Sequence, residues 1–430
     1  MCISRLSAVT GVFILAMVCG AVCAWAGKGA SLLDSSPPVV IGHTVTLQSS
    51  VLGEERRLLI SLPADYEATE QPLSVIYLLD GRAHFKLVTA TVELLTRNAR
   101  MPRSIVVGIS NTDRGRDFTS VAIDGAPSGG ADRFLEFIET EVIPFVDGNF
   151  RTAPHRTLIG HSLGGLLVMN ALADRPMLFQ AAIAISPAVT NDQRVGEGSV
   201  SLSDRLAETL TSPEALSFAL FITMSDGEDG RWLIDFEDVE DVLRASAPEG
   251  FSWRSLRLEG EDHGTTVLPS VFQGLRFINA DWDTSALVRE GTIEDMVSRF
   301  RALSERLGHE IQPPEVMVNL LGYRLLGEDR VGEAIEAFEF NVILHPESAN
   351  VHDSLGEALE RRGRLPGAIR CYRTAVRVAE ASDDPLLPIF RTNLRRVEAR
   401  LAGGDDERLV LQPPSFGGRV DGENGPDSGR

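Results

Sequence analysis

Gly160-His161-Ser162-Leu163-Gly164 is a G-x-S-x-G segment set between a short apolar run, Thr157 to Gly160, and a helical pattern, Leu163 to Asp174. A serine hydroxyl is a weak nucleophile at neutral pH, so acyl transfer needs it projected from a tight strand-to-helix turn toward a base. Glycines at 160 and 164 spare such a turn the side chains that would strike neighbouring backbone. Ser162 is therefore the candidate nucleophile, and His161 beside it a candidate substrate contact.

The base should follow later in the chain, with the acid before it. Downstream of Ser162 lie His263, His309, His345 and His352. The last three fall in helical sequence. His263 stands in Glu261-Asp262-His263-Gly264-Thr265, after a strand-like run and before a helical one, and is the candidate base. For the acid, the strand-like run Ser217 to Met224 is followed by Ser225-Asp226-Gly227-Glu228-Asp229. Glu228 is the choice, with Asp226 and Asp229 as alternatives; its task is to orient the imidazole and stabilise its charged form. An oxyanion needs two backbone donors. One is the Leu163 amide, and the other is the Gly81 or Arg82 amide in the Asp80-Gly81-Arg82 loop after the apolar run Leu73 to Leu79. Asp80 itself reads as an acceptor that orients this loop. Arg114 and Arg116 border the same cleft and suit either an acidic substrate or pairing with Asp113 and Asp117, the pairing being favoured. No metal-ligand spacing, phosphate-cradling glycine loop or dinucleotide fingerprint accompanies these residues, and neither a cofactor nor a metal is expected.

The elements that position these groups alternate. Strand-like runs at Val39 to Leu47 and Arg56 to Leu62 flank Gly53 as a hairpin. Continuous apolar runs such as Leu73 to Leu79 and Ser104 to Ile109 suit parallel strands covered on both faces. Helical patterns between them, including Asp132 to Val146, complete an α/β fold: a mostly parallel sheet with helices on both faces, over residues 38–283. From Glu290 the strand signal ends. Gly322 recurs at Gly356, Ala334 at Ala368 and Phe338 at Tyr372, each 34 residues on. That period is the one of tetratricopeptide repeats, placed at about 313–346 and 347–380 in an all-α region 290–402 closed by a capping helix. The tail 403–430, rich in Gly, Asp and Pro, is expected to be disordered.

Residues 1–26 carry Arg5 as their one charge, then an apolar run and Ala24-Trp25-Ala26, the pattern of a secretory signal peptide. The chain is thus expected to be exported to a bacterial periplasm or the exterior, with an uncleaved anchor as the alternative and no stable membrane span in the mature chain. Cys2, Cys19 and Cys23 lie in that leader, leaving Cys371 alone and no internal disulfide. With 61 acidic against 41 basic side chains and a formal charge of -20, nucleic acid and anionic membranes are disfavoured as partners.

Four stretches carry a resemblance: Ile60-Ser61-Leu62-Pro63 with Tyr66; Val75-Ile76-Tyr77-Leu78-Leu79-Asp80-Gly81; Leu158 to Gly165 running on to Ala184-Ile185-Ser186-Pro187; and Asp262-His263-Gly264. With these, residues 50 to 280 resemble the putative esterase family of α/β-hydrolases, which includes enterobactin esterases and the esterase D group. The resemblance implies an antiparallel hairpin ahead of the parallel sheet, Ser162 as nucleophile, His263 as base, and hydrolysis of a carboxylic ester; it does not name the ester, for which siderophore-like and lactone esters are candidates. Family members differ at the acid, so the choice among the three carboxylates stays open. The expectation is a serine esterase acting through an acyl-enzyme on a small molecule, with a protein or peptide partner or self-association through the repeats. The alternative is a weak or inactive hydrolase fold serving as a binding module.

Overall fold

The structure, a computed structural model, describes residues 37–68, 70–120, 128–191, 200–212 and 217–403. The leader 1–26 and, apart from its first residue, the tail 403–430 lie outside them. The described residues divide into two compact units, one of those up to Leu95 together with Arg103–Ile278, the other of Thr96–Pro102 together with those from Asn279 onward.

The first unit is built on an eight-stranded sheet in the order β1-β2-β4-β3-β5-β6-β7-β8. Its strands are β1 (His43–Ser49), β2 (Glu54–Ser61), β3 (Leu73–Leu78), β4 (Ser104–Ile109), β5 (Thr152–His161), β6 (Ala181–Ile185), β7 (Phe218–Ser225) and β8 (Phe251–Leu258). β1 and β2 form an antiparallel hairpin whose turn uses Gly53 at φ 70°, a conformation open to glycine without steric cost. β2 also runs antiparallel to β4, and every other pairing is parallel. This is the expected α/β class. Every residue of β3, β4 and β6 is buried, which is why these strands read as unbroken apolar runs.

β5 begins at Thr152, five residues before its apolar stretch. Its polar leading half is held from the side: Thr152 Oγ1 donates to Asp147 at 2.7 Å and Arg156 Nη2 to the same carboxylate at 2.8 Å. The helical pattern at 132–146 is realised as Ala131–Phe137 and Ile143–Asn149 joined by a π-turn, Ile138–Val142. Within β2, Arg56 is fully buried, paired with Asp117 at 2.6 Å and Glu54 at 2.7 Å and placed over the Phe134 ring. A buried cation persists only with such partners.

Among its described residues the second unit holds helices joined by turns and no strand. Its main segment begins at Asn279, with Trp282 buried in this unit's core edge-on to Phe300 rather than in the sheet's core. The helix Ile293–Leu307 opens with a reciprocal capping box between Thr292 and Asp295, and closes on Gly308 at φ 74°. Four helices follow, Glu315–Gly327, Val331–Leu344, Ala349–Arg361 and Leu365–Ala381, then Leu387–Leu401. A Cβ on Gly322 would lie 2.5 Å from the Phe338 ring, and one on Gly356 would lie 2.8 Å from the Tyr372 ring. The two glycines 34 residues apart thus admit aromatic rings also 34 apart. Among the described residues no helix is long and apolar enough to cross a membrane.

Candidate active site

In parallel sheets the groups that meet a ligand gather where strands end at their carboxyl side. Here Asp80 follows β3, Ser162 follows β5, Glu228 follows β7, and His263 lies beyond β8. Leu78 pairs with Ile159, Ile185 with His161, and Ser225 with Leu258, so these four turns emerge along one edge.

Ser162 has φ 61° and ψ -119°, a strained backbone for any residue but glycine. The strain is held by its surroundings: its N–H donates to the Ile185 carbonyl at 2.9 Å, and its carbonyl accepts from Leu166 and Ala188. A Cβ on Gly160 would sit 2.3 Å from the Gly164 carbonyl oxygen, and one on Gly165 would sit 3.0 Å from the Ile185 oxygen. The glycines flanking the serine are therefore required by the closeness of the turn. Leu163 is the first residue of the following helix, so its amide has no acceptor within that helix. Gly81 and Arg82 open the helix Gly81–Arg97 in the same way on the neighbouring strand, and a Cβ on Gly81 would meet the Gly108 carbonyl carbon at 2.7 Å. Two helix starts with free donors thus stand side by side.

His263 Nδ1 lies 2.6 Å from Glu228 Oε1, and the same oxygen accepts from Ser225 Oγ at 3.3 Å. The Glu228 side chain is 9% exposed and that of His263 39%. The other two carboxylates are engaged locally. Asp226 Oδ2 accepts from the Gly260 amide at 3.0 Å, tying the turn after β7 to the turn after β8. Asp229 caps the helix Gly230–Ser246, accepting from the Arg231 and Trp232 amides. Asp262 holds the His263 loop in shape by accepting from the Gly264 and Thr265 amides, which also depress its pKa. Trp232 stands edge-on to His263, with centroids 5.1 Å apart.

His161 turns inward. Its Nε2 donates to the His263 carbonyl at 2.7 Å, and the two rings lie 4.6 Å apart. Burial, reinforced by the neighbouring His263, pushes its pKa down to about 4, so it is a neutral donor at neutral pH. His84 stands against its other side at 5.7 Å, its own pKa lowered by burial.

Both arginines are committed to carboxylates, and for Arg114 the partner differs from the one expected. Its Nε and Nη2 grip Asp80 Oδ1 and Oδ2 at 2.8 and 3.1 Å rather than Asp113 or Asp117. Asp113 instead caps the short helix Arg114–Phe118 by accepting from the Arg116 amide. Arg116 spans Asp117 and Glu54, the Glu54 pair holding its pKa high and that of Glu54 low. Proximity in sequence favoured partners within the loop, whereas the topology delivers Asp80 and Glu54 from other strands. Among the described residues no group of three His, Cys, Asp or Glu side chains is gathered to hold a metal.

Residues 49–233 match the family model described as putative esterase. The chain is 29% identical over 270 residues to a siderophore triacetylfusarinine C esterase of Aspergillus fumigatus, covering 54% of this chain and 90% of that one. Over residues 49–233 the first unit is similar to the putative esterase family of α/β-hydrolases. That match and the esterase relatives support a carboxylic ester hydrolase. This esterase unit is also 34% identical over 137 residues to the ferri-bacillibactin esterase BesA of Bacillus subtilis, covering 27% of this chain and 47% of that relative. Among solved structures, an IroE-like serine hydrolase from Shewanella oneidensis superposes with a TM-score of 0.58 at 26% identity, over 67% of this chain and 95% of that one.

Proposed function

We propose that the protein is a serine esterase in which Ser162, His263 and Glu228 act as nucleophile, base and acid. The observation that carries the reading is Glu228 Oε1 at 2.6 Å from His263 Nδ1, at the strand edge where Ser162 stands on its strained turn. With Nδ1 protonated and bonded to the carboxylate, Nε2 is left as the basic nitrogen. His263 takes the Ser162 proton as Oγ attacks the ester carbonyl. The oxyanion forms between the Leu163 amide and the Gly81 or Arg82 amide. The imidazolium, stabilised by Glu228, then protonates the leaving alcohol, and water repeats the sequence on the acyl-enzyme.

The relatives named for siderophore esterases favour a siderophore-like ester, with a lactone ester as the other candidate. The rate of hydrolysis of a cyclic siderophore triester, set beside a short-chain p-nitrophenyl ester, tests this. Preference for the siderophore, abolished in Ser162→Ala, is expected; equal turnover by Ser162→Ala contradicts the mechanism, and preference for the simple ester contradicts the substrate class. The leader supports export of the enzyme. The matched glycine and aromatic pairs at 322/338 and 356/372 support two tetratricopeptide units that offer a surface to a protein or peptide.

A further inference from the structure

Two residues join the separate turns of the site into one chain of contacts. Arg114 Nε and Nη2 donate to both oxygens of Asp80, the residue immediately before the Gly81 amide. Its Nη2 also donates to the His161 carbonyl at 2.9 Å, the residue immediately before Ser162. From the same His161 the side chain goes the other way, its Nε2 donating to the His263 main-chain carbonyl. Asp80 is 8% exposed, has φ 52°, accepts from the Ala83 and His84 amides through its own carbonyl, and receives Asn111 Nδ2 as well. Its conformation is thus fixed from several sides. Arg114 is backed by the Phe118 ring, 5.6 Å from its guanidinium carbon.

We propose that Arg114 and His161 are positioning residues that set the distances among oxyanion loop, nucleophile and base, rather than groups that bind substrate. This rests on the triad reading above. The guanidinium fork fixes where the Gly81 region stands relative to the serine turn, because only a planar, multiply donating group reaches one carboxylate and a carbonyl together. The imidazole fixes where the His263 backbone stands relative to the same turn. Neither side chain gains or loses a proton in the reaction. Each acts through geometry that matters more at the transition state than in the ground state.

The test measures kcat and KM separately on an ester, in the full chain. Arg114→Ala should lower kcat about 10–100-fold with KM nearly unchanged, the scale of a misplacement of roughly an ångström. Added guanidinium ion at low millimolar concentration should recover much of that kcat, whereas Arg114→Lys, with a single ammonium, should remain impaired. His161→Phe, which keeps a ring against His263 but loses the donor, should also lose kcat, and His161→Gln should regain most of it through its amide N–H. A rise in KM with kcat intact in either series would make these residues substrate contacts and overturn the proposal. So would parental kcat in His161→Phe, or a loss in Arg114→Ala that guanidinium does not relieve although the variant melts where the parent does. If Arg114→Ala does not fold, the His161 pair decides alone. Ser162→Ala separates the two layers: its retention of activity sinks the triad, whereas its inactivity beside fully active Arg114→Ala and His161→Phe sinks only the positioning role.

Discussion

Three carboxylates follow β7, and their surroundings give them three different tasks. Glu228→Gln keeps the shape and removes the charge facing His263 Nδ1, so kcat should fall by about 10²–10⁴-fold with little change in melting temperature. Asp229→Ala should do the reverse, costing about 1 kcal/mol in a denaturant titration through loss of the helix cap while leaving most of the activity. A larger kinetic loss in Asp229→Ala than in Glu228→Gln would reassign the acid. His161 has a pH signature of its own. Its folded pKa of about 4 lies below the ordinary value of 6.5, so below pH 6.5 the unfolded chain takes a proton that the folded chain refuses. Stability should be independent of this group above pH 6.5 and decline as pH falls from 6.5 toward 4. Comparison of denaturation at pH 7.5 and 5 should show a smaller acid loss in His161→Gln than in the parent.

At the level of elements, the parallel strands and the serine turn were legible because burial on both faces writes itself as unbroken apolar runs, and because tight turns exclude every side chain but glycine's. Thr157 to Gly160 carried that signal, whereas Thr152 to Arg156 did not, since those polar residues join β5 through partners on another element. The same limit applies to the site. Alternation of strand and helix picks out Ser162, the His263 loop and the carboxylates after β7 as candidates, but does not choose among Asp226, Glu228 and Asp229. The grip of Arg114 on Asp80, and of the His161 ring on the His263 carbonyl, depends on strand order, in which β3 lies between β4 and β5. Nothing local announces it. Trp232 carries no local signal for a related reason: a tryptophan near the start of a helix reads as core until the histidine it faces is in place. The glycine contacts make a further prediction. Gly160→Ala should abolish soluble, active protein, because a Cβ 2.3 Å from a main-chain oxygen cannot be relieved by moving a flexible side chain.

Across the whole molecule each unit encloses its own hydrophobic core, the sheet's around residues such as Tyr77, Leu158 and Ile222, the helical one around Leu321, Phe338 and Tyr372. Asp353 offers a handle on the second unit alone. It is buried, its oxygens accept from Asn393 Nδ2 at 3.0 Å, and burial raises its pKa to about 6. The folded state then holds a proton that the unfolded state has released, so stability falls as pH rises from about 4 through 6 and stays lower beyond. Asp353→Asn should stabilise the helical unit at pH 7.5, by an amount on the order of 1–2 kcal/mol, and much less at pH 4. Thermal unfolding followed by circular dichroism checks this, and ester hydrolysis should be unchanged by the substitution.

Covalent capture is the most direct test of whether Ser162 attacks the acyl carbon. The full-length protein would be treated with a fluorophosphonate and the adduct located by peptide mass spectrometry. A single adduct on the peptide containing Ser162, absent in Ser162→Ala and slow to form in His263→Ala, is the predicted result. An adduct on another residue, or equal labelling of all three proteins, would contradict the account.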